Sequence, residues 1–295
     1  MSLAHRGQLG RRGPRDGLHL PRSGIPGNRT QAGPPAVERR CQMTPGDHGD
    51  ASRAKVVEQV ALACRIIAGF GHEDLTLGHV SIRPTGDDRV YIKRKGVALG
   101  EVTSRDVIEI HLDDSACLSA PGMHLEAVIH TEVYARRPDV GAVIHSHPLY
   151  ATALAATSTD SVHLEFLTHD SVLFEDGLGI YADSAELITT SEQGKEVADA
   201  LGSRRVALLK NHGVVIVGED IRWAVMAAVT LERAVQVQSI ARSLGSFDPL
   251  SRQAASVIFP AKYQDGFLDE YWAWWERRFG LRSSADAPLG DAEVR

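Results

Sequence analysis

The chain has 295 residues, 43% of them hydrophobic, and a formal net charge of −6. No apolar run reaches the roughly 18–20 residues that a membrane-spanning helix needs, so we expect no membrane partner. Residues 1–43 carry eight arginines, one aspartate and one glutamate, a net charge of +6, so residues 44–295 carry −12 and are not expected to bind nucleic acid.

The first 50 residues are dominated by Gly, Pro and Arg and show no apolar periodicity, which predicts a disordered tail. Two interpretations of this tail stay open: it is a nucleic-acid or targeting arm, or translation begins at Met43 and leaves only a short tail before the first helix. We expect one folded domain over 51–282 and a second tail over 283–295. Three widely spaced cysteines without a CxxC pair favour reduced thiols and a cytoplasmic location.

The folded part opens with an amphipathic helix from Ser52, in which apolar residues recur at i, i+3, i+4 and i+7 until Gly69 and Gly71 end it. Further helices are predicted over 123–137, after Pro148, and over 191–202, 220–243 and 271–279. Short strands are predicted over 78–84, 88–96, 107–112, 142–145, 205–210 and 213–218, with an irregular segment over 157–190. Hairpin-like neighbours among these strands indicate one α/β domain with a largely antiparallel sheet covered by helices.

Two histidines, His145 and His147, stand where the strand 142–145 meets the helix after Pro148. Alternate residues of a strand point to the same face, so the two imidazoles project side by side within reach of one ion. Imidazole nitrogens suit zinc and similar divalent metals. The same motif also describes two hydrogen-bonded histidines at a strand end, and both interpretations stay open at this point.

Two more residues bear on this choice. His212 lies in a tight turn between two apolar strands, where Gly213 is expected to relax the backbone; the alternative is a solvated loop histidine. Three histidines on one ion leave the open position that catalytic metals use. Glu126, on the predicted helix 19 residues before His145, is a candidate acid or base, or else forms a surface pair with His130.

Four blocks in this order resemble the class II aldolase/adducin family: 78–83 (GHVSIR), 124–148, 210–220 (KNHGVVIVGED) and the long helix that follows. The resemblance implies an αβα sandwich around a mostly antiparallel sheet. It makes His145, His147 and His212 the ligands of one divalent metal per subunit, and Glu126 the catalytic acid or base. Zinc is the first expectation for the ion, with manganese, iron or cobalt as alternatives. The resemblance also implies a homotetramer with active sites between neighbouring subunits.

The chain departs from the sugar-phosphate members of this family where they hold the phosphate. His79 stands where they carry asparagine, Met123-His124-Leu125 precedes Glu126 where they carry a serine pair, and the loop 92–96 (IKRKG) replaces small hydroxyl residues. These changes resemble the decarboxylase branch and imply a small carboxylate substrate. The predicted substrate contacts are His79, Ser81, Arg94, Lys95, Gly96 and His124.

Two points about the substrate site stay open. Lys93, Arg94 and Lys95 form a solvated strand end if they do not face the site. The aromatic residues 271–275 either wall an aromatic substrate or pack in the core or at a subunit interface.

The resemblance therefore implies a metal-dependent, non-oxidative decarboxylase of a hydroxylated aromatic dicarboxylate, with 3,4-dihydroxyphthalate as the specific expectation. The alternative enzyme is a class II aldolase or epimerase that acts on a sugar phosphate such as fuculose- or ribulose-phosphate. A third hypothesis is a non-catalytic scaffold like adducin, against which the intact set of three histidines and Glu126 argues.

Overall fold

The computed structural model describes residues 51–183 and 186–280. The predicted tails, 1–50 and 283–295, lie outside the described residues, as do the last residues of the predicted domain.

The described part of the chain contains seven helices and seven strands, besides short helical turns. The helices are α1 (Ala51–Ile67), α2 (Ala127–Arg136), α3 (Leu149–Ala156), α4 (Ser191–Leu201), α5 (Ile221–Leu244), α6 (Arg252–Lys262) and α7 (Asp265–Phe279). The strands are β1 (His79–Ile82), β2 (Arg89–Lys93), β3 (Val107–His111), β4 (Ala142–Ser146), β5 (Gly179–Tyr181), β6 (Val206–Leu209) and β7 (Gly213–Gly218).

The strands form one sheet in the order β3-β2-β1-β4-β7-β6-β5. Neighbouring strands are antiparallel, except that β5 and β6 run parallel. Strand β4 lies at the centre, between β1 and β7, so His145 is opposite His79 on one side and Val215 on the other. The predicted mostly antiparallel sheet is confirmed.

Alternate side chains of each strand pack into cores on opposite faces of the sheet. On β4, Ile144 packs in the core that also contains residues of α1, α3, α5 and α7. Its neighbour Val143 packs in the core that contains residues of α2 and α4. Helices therefore cover both faces of the sheet, and the predicted αβα sandwich is confirmed.

The helix ends follow from local chemistry. Thr190 and Gln193 form a capping box that begins α4, each side chain accepting from the other's backbone N–H. Asp220 begins α5 by accepting hydrogen bonds from the backbone of Arg222 and Trp223. A π-helical turn, Ala68–His72, ends α1 and leads into the loop that carries Asp74 toward the histidines.

Four elements differ from the prediction, and one of them is α7, which begins at Asp265 instead of residue 271. Strand β5 has three residues at the sheet edge, inside the segment predicted to be irregular, and three residues are too few to show an alternating pattern. Helix α6, which carries Pro260 near its end, was not predicted. Helix α2 begins at Ala127 instead of residue 123, so Glu126 is the N-cap residue and not part of the helix.

No helix within residues 51–183 and 186–280 is long and apolar enough to cross a membrane. Cys64 is a free, buried thiol, and burial raises its pKa to about 12. Cys117 is disulfide-bonded, so the prediction of three reduced cysteines is wrong at that residue.

Candidate metal centre and active site

His145 and His147 lie at the end of β4 with their Nε2 atoms facing each other. Nδ1–H of His145 donates to the carbonyl of Val214 at 3.0 Å, and Nδ1–H of His147 donates to Oδ2 of Asp74 at 3.0 Å. These acceptors hold the protons on Nδ1, so each neutral ring presents a lone pair at Nε2. Burial, together with the neighbouring His145, lowers the pKa of His147 and favours its neutral form.

The two Nε2 atoms are 3.2 Å apart. Two lone pairs at this distance repel each other unless a cation lies close to both. Two nitrogens bound about 2.05 Å from a tetrahedral zinc ion are about 3.3 Å apart, so the spacing fits a divalent metal. The ligand nitrogen of His212 lies within 4.8 Å of the other two. The three histidines therefore form a potential metal site with a position left for a further ligand.

His212 reaches this site through the turn between β6 and β7. Asn211 adopts a φ of +57°, a left-handed conformation that asparagine tolerates better than most residues. A Cβ on Gly213 would lie 2.6 Å from the carbonyl oxygen of Ser146 and 2.5 Å from Cδ2 of His147. The prediction that Gly213 relaxes the turn is therefore wrong: Asn211 takes the left-handed conformation, and Gly213 allows two backbones to approach.

Glu126 directs its carboxylate at two of the histidines. Oε2 lies 3.6 Å from Nε2 of His145, and Oε1 lies 3.6 Å from Nε2 of His212. Oε1 also accepts a hydrogen bond from the backbone N–H of Ile188 at 3.1 Å. Burial acts to raise the pKa of Glu126, but positive charge beside it, at His145 and His212, outweighs burial and holds the pKa below its usual range. The carboxylate is therefore ionised at neutral pH.

The surface pair considered for Glu126 and His130 is not formed. The Glu126 side chain is only 13% exposed, and His130 is fully buried. The ring nitrogens of His130 lie 2.6 Å from Nδ1 of His79 and 2.6 Å from Oγ of Ser81. His130 thus belongs to a buried hydrogen-bonded group next to the metal site.

His147, His212 and Glu126 line a cavity of about 720 Å³. Leu77, Leu149 and Leu187 also line this cavity, although these leucines are about half exposed or more. Two polar atoms of lining residues, Nε2 of His124 and Oγ1 of Thr152, are buried without a hydrogen-bond partner. Such atoms are costly unless a bound molecule or water pairs with them, which indicates a ligand site.

Among the predicted substrate contacts, His79 and His124 line the cavity and lie side by side, with ring centroids 4.4 Å apart. Burial lowers the pKa of His124 to about 3, with a further contribution from the nearby Lys93. Ser81 is fully buried and does not line the cavity; its hydroxyl bonds to His130 and to Tyr134.

The basic loop after β2 does not reach the cavity among the described residues. Arg94 donates to Asp106 at 2.9 Å, Lys95 is exposed, and Gly96 lies in a turn with a φ of +81°. Lys93 is not part of a solvated strand end: it is buried and donates to the carbonyl of Thr76 at 3.2 Å. The structure therefore does not bring the side chains of Arg94 and Lys95, or Gly96, to the cavity with His79 and His124; only the backbone of Arg94 contacts His124.

The aromatic residues of α7 do not line the cavity at the histidines. Trp272 and Trp275 are buried in the core. Tyr271, Trp274 and Trp275 line a separate cavity of about 250 Å³ together with Phe70. Core packing accounts for Trp272 and Trp275, and the interpretation of α7 as a substrate wall receives no support from the described residues.

Asp74 lines the cavity and contacts His147, and it was not among the residues predicted from the sequence. It lies in the loop 72–77 (HEDLTL), which has no periodicity and no metal motif, so only the fold shows that it meets His147. We expect Asp74→Asn to weaken zinc binding by about 10- to 100-fold, because the amide lacks the negative charge that strengthens the hydrogen bond from His147 and makes its Nε2 a better ligand. Zinc titration against a competing chelator measures the effect, with Asp160→Asn, at an exposed residue, as the control; equal affinities for the two variants would contradict this role.

Residues 58–239 match the family model described as Class II Aldolase and Adducin N-terminal domain. The chain belongs to this family. The described fold agrees with that assignment, because solved class II aldolases share it. An L-fuculose 1-phosphate aldolase from Glaciozyma antarctica superimposes with a TM-score of 0.65 at 25% identity, covering 81% of this chain and 96% of that one.

Curated relatives of this class II aldolase family member include two kinds of lyase. A 3,4-dihydroxyphthalate decarboxylase from Rhodococcus jostii is 30% identical over 207 residues, which cover 66% of this chain and 83% of the relative. An L-fuculose phosphate aldolase from Methanocaldococcus jannaschii is 31% identical over 162 residues, covering 54% and 82% respectively. Similarity at this level leaves two substrate classes to choose between.

Proposed function

We propose that this protein is a divalent-metal-dependent carbon–carbon lyase, and specifically a non-oxidative decarboxylase of a hydroxylated aromatic dicarboxylate such as 3,4-dihydroxyphthalate. The observation that carries the proposal is the convergence of three Nε2 atoms beside the carboxylate of Glu126, at a cavity also lined by the imidazoles of His79 and His124. Several relatives are named as 3,4-dihydroxyphthalate decarboxylases.

The residues of the site have different roles in the proposed reaction. His145, His147 and His212 would hold the metal, with zinc as the first choice and manganese, iron or cobalt as alternatives. A bound divalent ion acts as a Lewis acid that draws electrons away from the bond that breaks. When the carboxylate carbon leaves as carbon dioxide, the electron pair of the broken bond stays on the ring carbon, which must gain a proton.

Glu126 is the group placed to move that proton. Because its carboxylate is ionised at neutral pH, it acts first as a base that accepts the proton of a substrate hydroxyl. The protonated Glu126 then donates to the ring carbon, so the carboxylate group of the substrate is replaced by hydrogen. The hydrogen bond from the backbone N–H of Ile188 keeps Oε1 in position through both transfers.

Two imidazoles favour a hydroxylated aromatic acid over a sugar phosphate. His79 and His124 occupy positions where the sugar-phosphate aldolases that this sequence resembles carry amide and hydroxyl groups that hold a phosphate. Flat rings only 4.4 Å apart suit an aromatic substrate, and the leucines at the cavity leave apolar surface for its ring.

A class II aldolase acting on a sugar phosphate is the second candidate. The similarity to L-fuculose phosphate aldolases in both sequence and structure supports it. The chemistry at Glu126 would be the same, with an aldehyde instead of carbon dioxide as the leaving group.

Metal removal tests the proposal. We expect the zinc-loaded protein to release carbon dioxide from 3,4-dihydroxyphthalate, to lose this activity after dialysis against a chelator, and to recover it when zinc, manganese, iron(II) or cobalt is added back. A retro-aldol assay with fuculose 1-phosphate and ribulose 5-phosphate runs in parallel. Aldehyde release without carbon dioxide release would favour the second candidate, and metal-loaded protein inactive on all three compounds would contradict both.

The homotetramer and the cytoplasmic location belong to the same proposal. Leu77, Leu149 and Leu187 expose apolar surface at the cavity, and a neighbouring subunit that covers them would exclude water from the reaction.

A further inference from the structure

A buried chain of hydrogen bonds leads from α2 to the cavity. The hydroxyl of Tyr134 lies 2.8 Å from Oγ of Ser81, which lies 2.6 Å from Nδ1 of His130. Nε2 of His130 lies 2.6 Å from Nδ1 of His79. All four residues are almost completely buried, so each proton in the chain must be shared within it.

The Tyr134 end of the chain determines which atom is the donor in each hydrogen bond. Oγ of Ser81 is the hydrogen-bond partner of the Tyr134 hydroxyl among the described residues. If Ser81 donated to the phenol oxygen, the buried phenol proton would have no acceptor, which is costly. Tyr134 therefore donates to Ser81, and Ser81 donates to Nδ1 of His130.

The donor and acceptor roles of His130 and His79 follow from those of Tyr134 and Ser81. With Nδ1 of His130 as an acceptor, the neutral ring carries its proton on Nε2 and donates it to Nδ1 of His79. The proton of neutral His79 is then on Nε2, and the ring lines the cavity next to His124. His79 consequently offers an N–H donor to a molecule in the cavity.

The neighbouring His124 has the opposite polarity. A hydrogen bond to the backbone at Arg94 acts to raise its pKa, so the Arg94 carbonyl accepts it. Because Nε2 of His124 has no partner, the donor is Nδ1, and neutral His124 keeps a lone pair on Nε2. A donor and an acceptor thus stand side by side, on rings 4.4 Å apart.

We propose that His79 and His124 together bind one neutral hydroxyl group of the substrate, which accepts from Nε2–H of His79 and donates to Nε2 of His124. A carboxylate or phosphate oxygen satisfies only half of this pair, because it has no proton for His124. In terms of the proposed function, on which this inference rests, the pair holds a phenolic hydroxyl of the aromatic acid rather than a carboxylate. Ser81, His130 and Tyr134 act as positioning residues that fix the tautomer of His79.

Ligand methylation tests the pair. Zinc-loaded Glu126→Gln protein, in which turnover is blocked, is titrated calorimetrically with 3,4-dihydroxyphthalate and with its two monomethyl ethers. We expect one ether to bind about tenfold more weakly than the parent, since its oxygen accepts but cannot donate and Nε2 of His124 stays unpaired. Adding His124→Leu should abolish this preference, while adding His163→Leu, at an exposed histidine outside the cavity, should preserve it. Equal binding of all three ligands would overturn the inference and leave the proposed function intact.

A ligand-free measurement separates the two proposals. Solid-state 15N NMR of zinc-loaded, histidine-labelled wild-type protein reports which ring nitrogen carries the proton, with His79→Gln and His124→Leu variants used for assignment. We expect the Nε2–H tautomer at His79 and the Nδ1–H tautomer at His124; the reverse at either residue overturns the inference. If no aromatic ligand binds but these tautomers are found, the proposed substrate is wrong and the hydroxyl-binding pair serves another hydroxylated compound.

Discussion

Glu126→Gln should lower the rate of carbon dioxide release from 3,4-dihydroxyphthalate by about 10²- to 10⁴-fold, because glutamine neither accepts the hydroxyl proton nor delivers one to the ring carbon. The substitution preserves the shape of the side chain and the acceptor for the backbone N–H of Ile188. We therefore expect the folded structure and the zinc stoichiometry to remain unchanged. Steady-state kinetics together with metal analysis of the same preparation measure both quantities.

Glu132→Gln is the matched control. Glu132 lies on α2, six residues after Glu126, and its carboxylate accepts from the hydroxyl of Ser191 outside the cavity. We expect this variant to keep near wild-type activity. If Glu126→Gln instead lost its metal, Glu126 would be a ligand, in the alternative group that it forms with His79 and His145, and its role as the proton carrier would be wrong.

His212→Ala should abolish activity by removing the metal. Loss of a group that only orients a ligand weakens binding by about 10- to 100-fold, so loss of a ligand itself is expected to exceed about 100-fold. His212 suits this test because it lies in a turn and its side chain is 20% exposed, so little core packing is lost. Plasma emission spectrometry of protein dialysed against buffered zinc measures the content, which we expect to fall from near one ion per subunit to near zero.

The control for this prediction is His163→Ala. The His163 side chain is 55% exposed and pairs with Glu165, away from the lining of the cavity, so its zinc content should equal that of wild type. Full zinc occupancy in His212→Ala, with activity lost, would show that His212 serves the reaction in some way other than holding the ion.

With the exception of α6, the fold followed from the sequence wherever a helix was long enough to show its period or a strand formed an apolar run. The apolar residues of α1 repeat at helical spacing, whereas β4 and β7 are short apolar runs that are buried on both faces of the sheet. Strand β5 is too short for such a signal, and its partner β6 lies far along the chain. The helix was predicted to begin at residue 123 because Met123 and Leu125 extend its apolar pattern. The helical backbone of α2 begins only at Ala127.

The residues of the site also differ in how far the sequence predicted them. His145, His147 and His212 belong to short motifs, so they were named before their geometry was known, and the structure brings their ligand nitrogens together. Asp74 and Tyr134 belong to no motif; only the tertiary structure brings them to the site or to the chain that ends there. Arg94 was misjudged for a related reason: its charge is evident in the sequence, but its partner Asp106 is revealed only by the fold.

Gly213 has a further consequence for the metal site. It lies against the carbonyl of Ser146 with no space for a side chain between them, so contact between main chains sets the distance from His212 to the segment of His145 and His147. Core side chains such as Ile144 and Val214 can change volume in evolution without widening the triangle of nitrogens. The spacing of the three histidines therefore does not depend on substitutions in the core, provided that residue 213 stays glycine.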